Sequence, residues 1–388
     1  MSDQAYFSEA DCDIDAFRAL VGRTLDTGNV PLAATIEKGI PVYDGAATAA
    51  LLEDPPRRRS ALAEWGCVLG KGPGVLAISG AYRDTKVLDE ATAIYLAIIA
   101  QEKEQGAAQA DHFATAGAND RVWNALQKLC DRAPDVFARY LGNPILAAVS
   151  EAWLGPGYQM TAQINLVRPG GKAQEAHRDY HLGFQTAEAA AQYPAHVHDL
   201  SPVMTLQGAI AHCDMPVESG PTKLLPYSQL YRPGYLAYRL EPFRAFFETA
   251  YVQLPLKKGD LLFFNPALFH AAGDNVSTDI QRLANLVQVS SPLGRAMESI
   301  DRLGMCRQLY PVLRAAQAER TLSAAEIAAA IASAAEGYSF PTNLERDPPI
   351  GGLAPETQAA LMHRALETDM DEGEFAQALA AQADRRRA

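Results

Sequence analysis

Between Tyr158 and Pro292 short strand-like runs alternate with Gly- and Pro-bearing turns, and this pattern restricts the fold more than any other feature of the sequence. QMTAQINLV alternates apolar and polar residues, as a half-buried strand does. VMTLQGAIAHC, TKLLP, YVQLPL, DLLFFN and RLANLVQVS read as further strands, set apart by RPGG, ESGP, KKGD and AAGDN. Many short strands at such intervals predict a sandwich or barrel rather than a parallel sheet with crossover helices.

The flanks read differently. Helical spacing runs through Glu90–Glu104, Asp120–Asp131, Pro134–Tyr140 and Pro144–Leu154, preceded by the β-like run VLAISG after Gly74. Helices return at Ser323–Glu336, Pro355–Glu367 and Glu372–Arg385, and FPTNLERDPPIGG between them reads as an ordered loop. The expectation is an α+β chain of 388 residues acting as one domain. Residues 1–157 are mostly helical, 158–292 form a mainly β core, and 293–388 supply C-terminal helices.

Composition removes several function classes. A formal net charge of -12 argues against a nucleic-acid partner. Arg57–Arg59 and Arg385–Arg387 are short enough to be a solvated loop and tail. ATAIYLAIIA, the most apolar run, is too short for a membrane span and continues into QEKEQ. The acidic start of the chain does not resemble a signal peptide, and five scattered cysteines without a CxxC pair suit a reducing cytoplasm. A small-molecule substrate is therefore expected, without nucleic acid or membrane; the sequence is compatible with a homo-oligomer.

Chemistry concentrates on the histidines. In His177-Arg178-Asp179, residues two apart on an extended segment point to one side, so an imidazole and a carboxylate project together. His270 ends the strong strand pattern DLLFFNPALFH and offers a third ligand. Two histidines and one carboxylate on one face of an octahedron leave three positions open. That is the ligand set of non-heme iron(II) oxygenases, where 2-oxoglutarate takes two positions and O2 the third. Arg282 opens the next strand, and its guanidinium fork suits the distal carboxylate of a 2-oxo diacid.

With these residues the chain resembles the phytanoyl-CoA dioxygenase family of iron(II)- and 2-oxoglutarate-dependent oxygenases. The resemblance runs through His177-Arg178-Asp179, Glu218-SGPTKLLPYSQ, His270-AAGDNVS and Arg282, about a third of the chain. It implies a double-stranded β-helix (jelly roll), metal ligation by His177, Asp179 and His270, and oxidation of a small molecule with release of succinate and CO2. Ala272, Tyr227 and Gln229 stand where the family usually has Ser, Gly and His, and Arg282 comes one residue late, which makes Arg168 the second candidate for the carboxylate. Related halogenases lack the carboxylate ligand; Asp179 therefore favours hydroxylation. Two alternatives remain: a jelly-roll binding module without turnover, and the same cofactors directed to desaturation, cyclisation or epoxidation.

Other polar residues receive lesser roles. Gln163 and Asn165 share a strand face and are co-substrate candidates; Tyr180, His181 and Tyr227 are candidates for the substrate pocket. His177 and His181 form an HxxxH pair, but PGG and YHLGF do not look helical, which disfavours zinc. His196 and His198 read as exposed, and His112, His212 and His363 have no evident partner. Arg168, Lys172 and Arg178 are either solvated or face an anion. Tyr227, Tyr231, Tyr235 and Tyr238 read as packing against PFRAFF.

Overall fold

The computed structural model describes residues 5–105, 119–340 and 342–387. Its ten strands are β1 (Thr35–Glu37), β2 (Ile40–Asp44), β3 (Val75–Ser79), β4 (Asn119–Val122), β5 (Gln159–Val167), β6 (Thr205–Ala211), β7 (Lys223–Leu225), β8 (Leu261–Phe264), β9 (Phe269–Ala271) and β10 (Arg282–Ser290). Eight form one sheet in the order β1-β2-β3-β8-β6-β10-β5-β4, antiparallel except where β2 meets β3. β7 and β9 form a separate antiparallel pair, widened by isolated bridges from His270 to His177 and from Leu224 to Val252.

Strand periodicity divides the large sheet into two faces. Met160, Ile164, Leu206, Ile210, Phe263 and Val287 join the main core, where helices from both ends of the chain contribute Phe137, Tyr140, Met305 and Leu309. The alternate residues Val75, Ala77, Ala211, Leu262, Phe264 and Ala284 pack on Leu224, Leu254, Leu256 and Leu268 from the smaller ladder. Helix Pro144–Leu154 illustrates how the flanks are built. Asn143 Oδ1 accepts from the Ile145 and Leu146 amides, Pro144 takes the first turn, and Gly155 ends the helix at φ 75°.

Several sequence expectations are corrected. DLLFFNPALFH is not one strand. Pro266 lacks an amide hydrogen, and Asn265 turns the chain by accepting from Ala267 N at 2.9 Å, so β8 stays in the large sheet and β9 crosses to the ladder. Residues 119–122 are strand β4, and the helix expected there starts only at Ala125. The strands β1 and β2 and helix Arg302–Glu319, which contains Pro311, had no clear sequence signal. YVQLPL supplies only bridges at Val252 and Leu256, because Pro255 interrupts it.

In each arginine cluster the middle residue is partly buried and the other two are exposed, as expected of a solvated run, though the first cluster lies on a helix rather than in a loop. Arg58 lies on helix Pro55–Gly70 and pairs with Glu151, while Arg386 pairs with Glu336. The proline-bearing loop is tied to the C-terminal segment by Thr342 Oγ1 donating to Arg386 O at 3.1 Å and Asn343 Nδ2 to Arg387 O at 2.6 Å. Among the described residues, no helix is long and apolar enough to cross a membrane.

Candidate metal centre

His177 and His270 are opposite one another across two extended backbones. His177 N donates to His270 O at 3.0 Å, His270 N returns a bond to His177 O at 3.2 Å, and Asp179 N donates to Pro266 O at 3.0 Å. Each imidazole is held through Nδ1, His177 on Glu175 O at 2.8 Å and His270 on Leu268 O at 2.7 Å. A carbonyl only accepts, so both Nδ1 atoms carry the proton and both Nε2 atoms present lone pairs.

Those lone pairs meet the Asp179 carboxylate, with His270 Nε2 3.3 Å from Oδ2 and His177 Nε2 3.8 Å from Oδ1. The ligand atoms of His177, Asp179 and His270 all lie within 4.8 Å of one another, the one such group of three among the described residues. Three acceptors converging without a donor repel one another unless a cation stands between them, so the donor set fits a metal ion with an open face. Gln207 Nε2 donates to Asp179 Oδ2 from the large sheet. Burial, then His270, lowers the His177 pKa. Burial would raise that of Asp179, but the neighbouring His177 and His270 and the amide of Gln207 outweigh it and hold it well below the usual carboxylate range.

The triad opens into a cavity of about 800 Å³, near the top of the ~300–1,000 Å³ range of small-molecule sites. Its floor is the inner face of the large sheet. Arg282, Ala284, Leu286 and Gln288 line it from β10, Gln163 and Asn165 from β5, Gln207 and Ala209 from β6, and Arg121 from β4. Arg282 and Gln288 are six residues apart, roughly 20 Å along the strand, so they occupy opposite ends. Arg282 is 6% exposed, and burial brings its pKa to about 10, which leaves it charged at neutral pH. It donates only to the carbonyls of Ser219 at 3.3 Å and Gly273 at 3.5 Å, and among the described residues no carboxylate pairs with it.

Asn165 is on the floor with a buried Oδ1 that has no hydrogen-bond partner. Gln163 is engaged, accepting from Arg121 Nη1 at 2.9 Å and donating to Gln288 Oε1 at 3.2 Å. Arg168 lies outside the cavity lining and pairs with Asp120. Tyr180 is on the wall, but His181 and Tyr227 are not. Positive φ values at Tyr180 (63°) and His181 (44°) turn the chain, so His181 Nδ1 meets Ser201 Oγ at 3.3 Å instead. Tyr227, at φ 68°, is fixed by its amide bond to Pro73 O.

Arg178 is neither solvated nor aimed at an anion. Its Nη2 donates to Ser228 O at 2.6 Å and Tyr231 O at 2.9 Å, inside the protein. His198 is buried and bonded to Ala190 O at 3.0 Å, whereas His196 is exposed. His212 has two partners, Thr92 Oγ1 at 2.8 Å and Tyr140 OH at 2.7 Å; His112 lies outside the described residues. Tyr231 and Tyr238 pack with Phe243 and Phe247 as expected.

The motif residues around the ligands shape the backbone. Gly220 has φ 74°, and a Cβ there would lie 2.3 Å from Asp274 O. Ser228 Oγ accepts from Phe269 N at 2.7 Å, beside the candidate ligand His270. Asn275 Nδ2 donates to Val167 O at 3.0 Å and Ile280 O at 2.8 Å, closing the turn before Arg282. Sequence reasoning missed Gln207, Arg121, Trp123 and Gln288. The available signal was polar side chains at alternate positions of strands that are otherwise apolar.

A cluster of two histidines and one carboxylate with an open face is the ligand set of non-heme iron(II) enzymes, and the family match below makes the chain a 2-oxoglutarate-dependent member of that class. The profile of the phytanoyl-CoA dioxygenase (PhyH) family matches residues 71–283, more than half of the chain, and the chain belongs to that family. Its cofactors are iron(II), 2-oxoglutarate and O2. No curated protein sequence matches. Among solved structures, the non-heme alpha ketoglutarate dependent epimerase SnoN of nogalamycin biosynthesis is 21% identical, with a TM-score of 0.43 over 60% of this chain and 84% of that one. The carbocyclase SnoK of the same biosynthesis is 21% identical, with a TM-score of 0.41 over 58% and 83%. AviO1 from Streptomyces viridochromogenes Tue57 is 20% identical, with a TM-score of 0.41 over 58% and 93%.

Proposed function

We propose that the chain is a dioxygenase that hydroxylates a small-molecule substrate, converting 2-oxoglutarate to succinate and CO2. His177, Asp179 and His270 hold the iron, and Arg282 takes the distal carboxylate of 2-oxoglutarate with Asn165 beside it. The large sheet and the smaller ladder are read as the two faces of a double-stranded β-helix, and residues 1–388 as one oxygenase domain in a reducing cytoplasm. The observation that carries the reading is the convergence of three acceptors, both imidazoles locked through Nδ1, on a cavity whose far end holds a buried arginine without a carboxylate.

Iron(II) and 2-oxoglutarate, when bound, supply activation of O2 coupled to decarboxylation. The chain's own residues do the rest. The backbone carbonyls of Glu175 and Leu268 keep the imidazoles in the ligating tautomer. Gln207 fixes one oxygen of Asp179, and the apolar residues between the sheets exclude water from one side. A carboxylate at position 179 occupies the place a halide would need, which favours hydroxylation.

Anaerobic addition of iron(II) and 2-oxoglutarate should give a weak charge-transfer band near ~500 nm, as expected of 2-oxo acid chelation at a facial site. Asp179→Ala should abolish it, and succinate should form in a substrate-dependent way. Iron binding without the band would sink the co-substrate assignment; succinate-free binding would leave only a binding module.

A further inference from the structure

Resting on that reading, the metal ligands and Arg282 account for part of the cavity, and a second set of residues lines the part they do not use. Arg121 donates to Gln163, Gln163 to Gln288, so a row of polar side chains crosses β4, β5 and β10. Gln163, Gln207 and Tyr180 are 5%, 8% and 1% exposed. Even so, the Tyr180 hydroxyl faces Gln207 across the cavity wall, and neither it nor Gln207 Oε1 makes a hydrogen bond of normal geometry, although both are buried. Such atoms await a ligand that supplies donors or acceptors.

The charge of the ligand follows from the cations on the wall, which are Arg121, Arg178 and Arg282. Arg178 is turned inward onto two backbone carbonyls, and Arg282 serves the co-substrate end. Arg121 is engaged with Gln163 and lies 5.2 Å over the Trp123 ring. Glu175 also lines the cavity. Phosphate recognition needs clustered guanidinium or ammonium groups, and among the described residues the lining lacks such a cluster.

We infer that this end of the cavity is the substrate subsite and takes an uncharged, hydroxyl-bearing molecule with a ring face, not an acyl-CoA thioester. A hydroxyl both donates and accepts, so it satisfies an amide in either orientation and the tyrosine hydroxyl. The ring face is met by half-buried Trp123 and by Phe184, which lines the cavity while 60% exposed and contacts Tyr180 edge-on at 5.7 Å. Phe184 is the apolar surface a bound ring would cover.

The test is isothermal titration calorimetry on the full chain, loaded anaerobically with iron(II) and 2-oxoglutarate. The probes are phenyl β-D-glucoside, phenyl β-D-galactoside, phenyl β-D-xyloside and decanoyl-CoA. At least one glycoside should bind saturably and decanoyl-CoA should not. Trp123→Ala and Gln163→Leu should each weaken the glycoside at least about tenfold, with the band near ~500 nm intact as the control for folding and co-substrate. Tighter binding of decanoyl-CoA than of every glycoside overturns the inference, as do binding of no glycoside and unchanged affinity in both variants. Absence of the band from the parent chain fails the cofactor reading first, so the two failures are distinguishable.

Discussion

Arg178 lies between two proposed metal ligands and points away from both, into the protein. It is 2% exposed, its Nη2 donates to two backbone carbonyls, and its guanidinium lies 5.0 Å from the Tyr235 ring centroid and 5.2 Å from that of Phe269. Burial brings its pKa from 12.5 to about 10, which at ~1.4 kcal/mol per pH unit disfavours the charged form by about 3 kcal/mol. Two charge-assisted hydrogen bonds return ~3–6 kcal/mol together, and two desolvated ring contacts add ~1–2 kcal/mol each. The balance favours the arginine by ~2–7 kcal/mol. Because a buried methionine side chain recovers ~2–3 kcal/mol of the upper part, Arg178→Met, which keeps most of the volume, should lose about 2–4 kcal/mol. For a chain of this size that lowers Tm by roughly 2–5 °C. Because His177 and Asp179 flank the lost anchor, iron(II) affinity should fall ~10–100-fold, as it does when groups supporting a ligand are removed. Gly234→Ala should act in the same direction, since its Cβ would lie 2.0 Å from Arg178 Cζ. Differential scanning calorimetry and anaerobic iron titration measure both effects. An Arg178→Met chain with unchanged Tm and iron affinity would refute the anchoring argument.

Three further outcomes follow from other parts of the structure. Arg282→Met should leave iron(II) affinity within about twofold but weaken 2-oxoglutarate at least ~10-fold, because a charge-assisted fork is lost; equal loss of both would mean a purely structural arginine. Burial holds His212 near a pKa of about 3, below the ~6.5 of an unfolded histidine, so the unfolded chain takes the proton first as pH falls. Stability present above pH ~6.5 is then lost towards pH ~3, by ~1.4 kcal/mol per unit or about 2 kcal/mol between pH 7 and 5. His212→Gln should flatten that slope in urea unfolding, and parallel slopes would exclude His212 as its source. Arg386→Ala, which breaks the pair with Glu336 and the 3.0 Å bond to Ser339 Oγ, should cost about 1 kcal/mol and expose the 340–352 loop to proteolysis without changing iron binding.

The clustering of His177, Asp179 and His270 was legible because its signal is local. His177 and Asp179 sit two apart on an extended segment, and the glycine, asparagine and serine positions around them shape turns that only those residues make. Arg282 was legible for the same reason, as the first residue of a long alternating strand. The boundary between β8 and β9 was not, because both halves of DLLFFNPALFH are apolar runs and only Asn265-Pro266 marks the crossing between sheets. Gln163, Gln207 and Gln288 were hard to weigh from sequence, since their meaning depends on register. β10 lies between β5 and β6, and that pairing brings glutamines far apart in sequence onto one floor. The buried role of Arg178 was invisible for a related reason: its partners Ser228 and Tyr231 come from a segment some fifty residues away.

The two sheets contribute different things to the site, and the division has a physical basis. The ladder places the triad on backbone that is cross-bonded between His177 and His270, so the imidazoles move with one another rather than independently. The large sheet offers Arg282 and the polar floor on strands paired on both sides, where a side chain keeps its direction at low entropic cost. Gln207 joins the two parts, since it stands on β6 and donates to Asp179. A change in the spacing between the sheets therefore alters the carboxylate ligand before it alters either histidine. Leu224 and Leu256 share one apolar cluster with Leu262 and Phe264 between the sheets, so the small intersheet core helps set the geometry of the proposed metal site as well as stability.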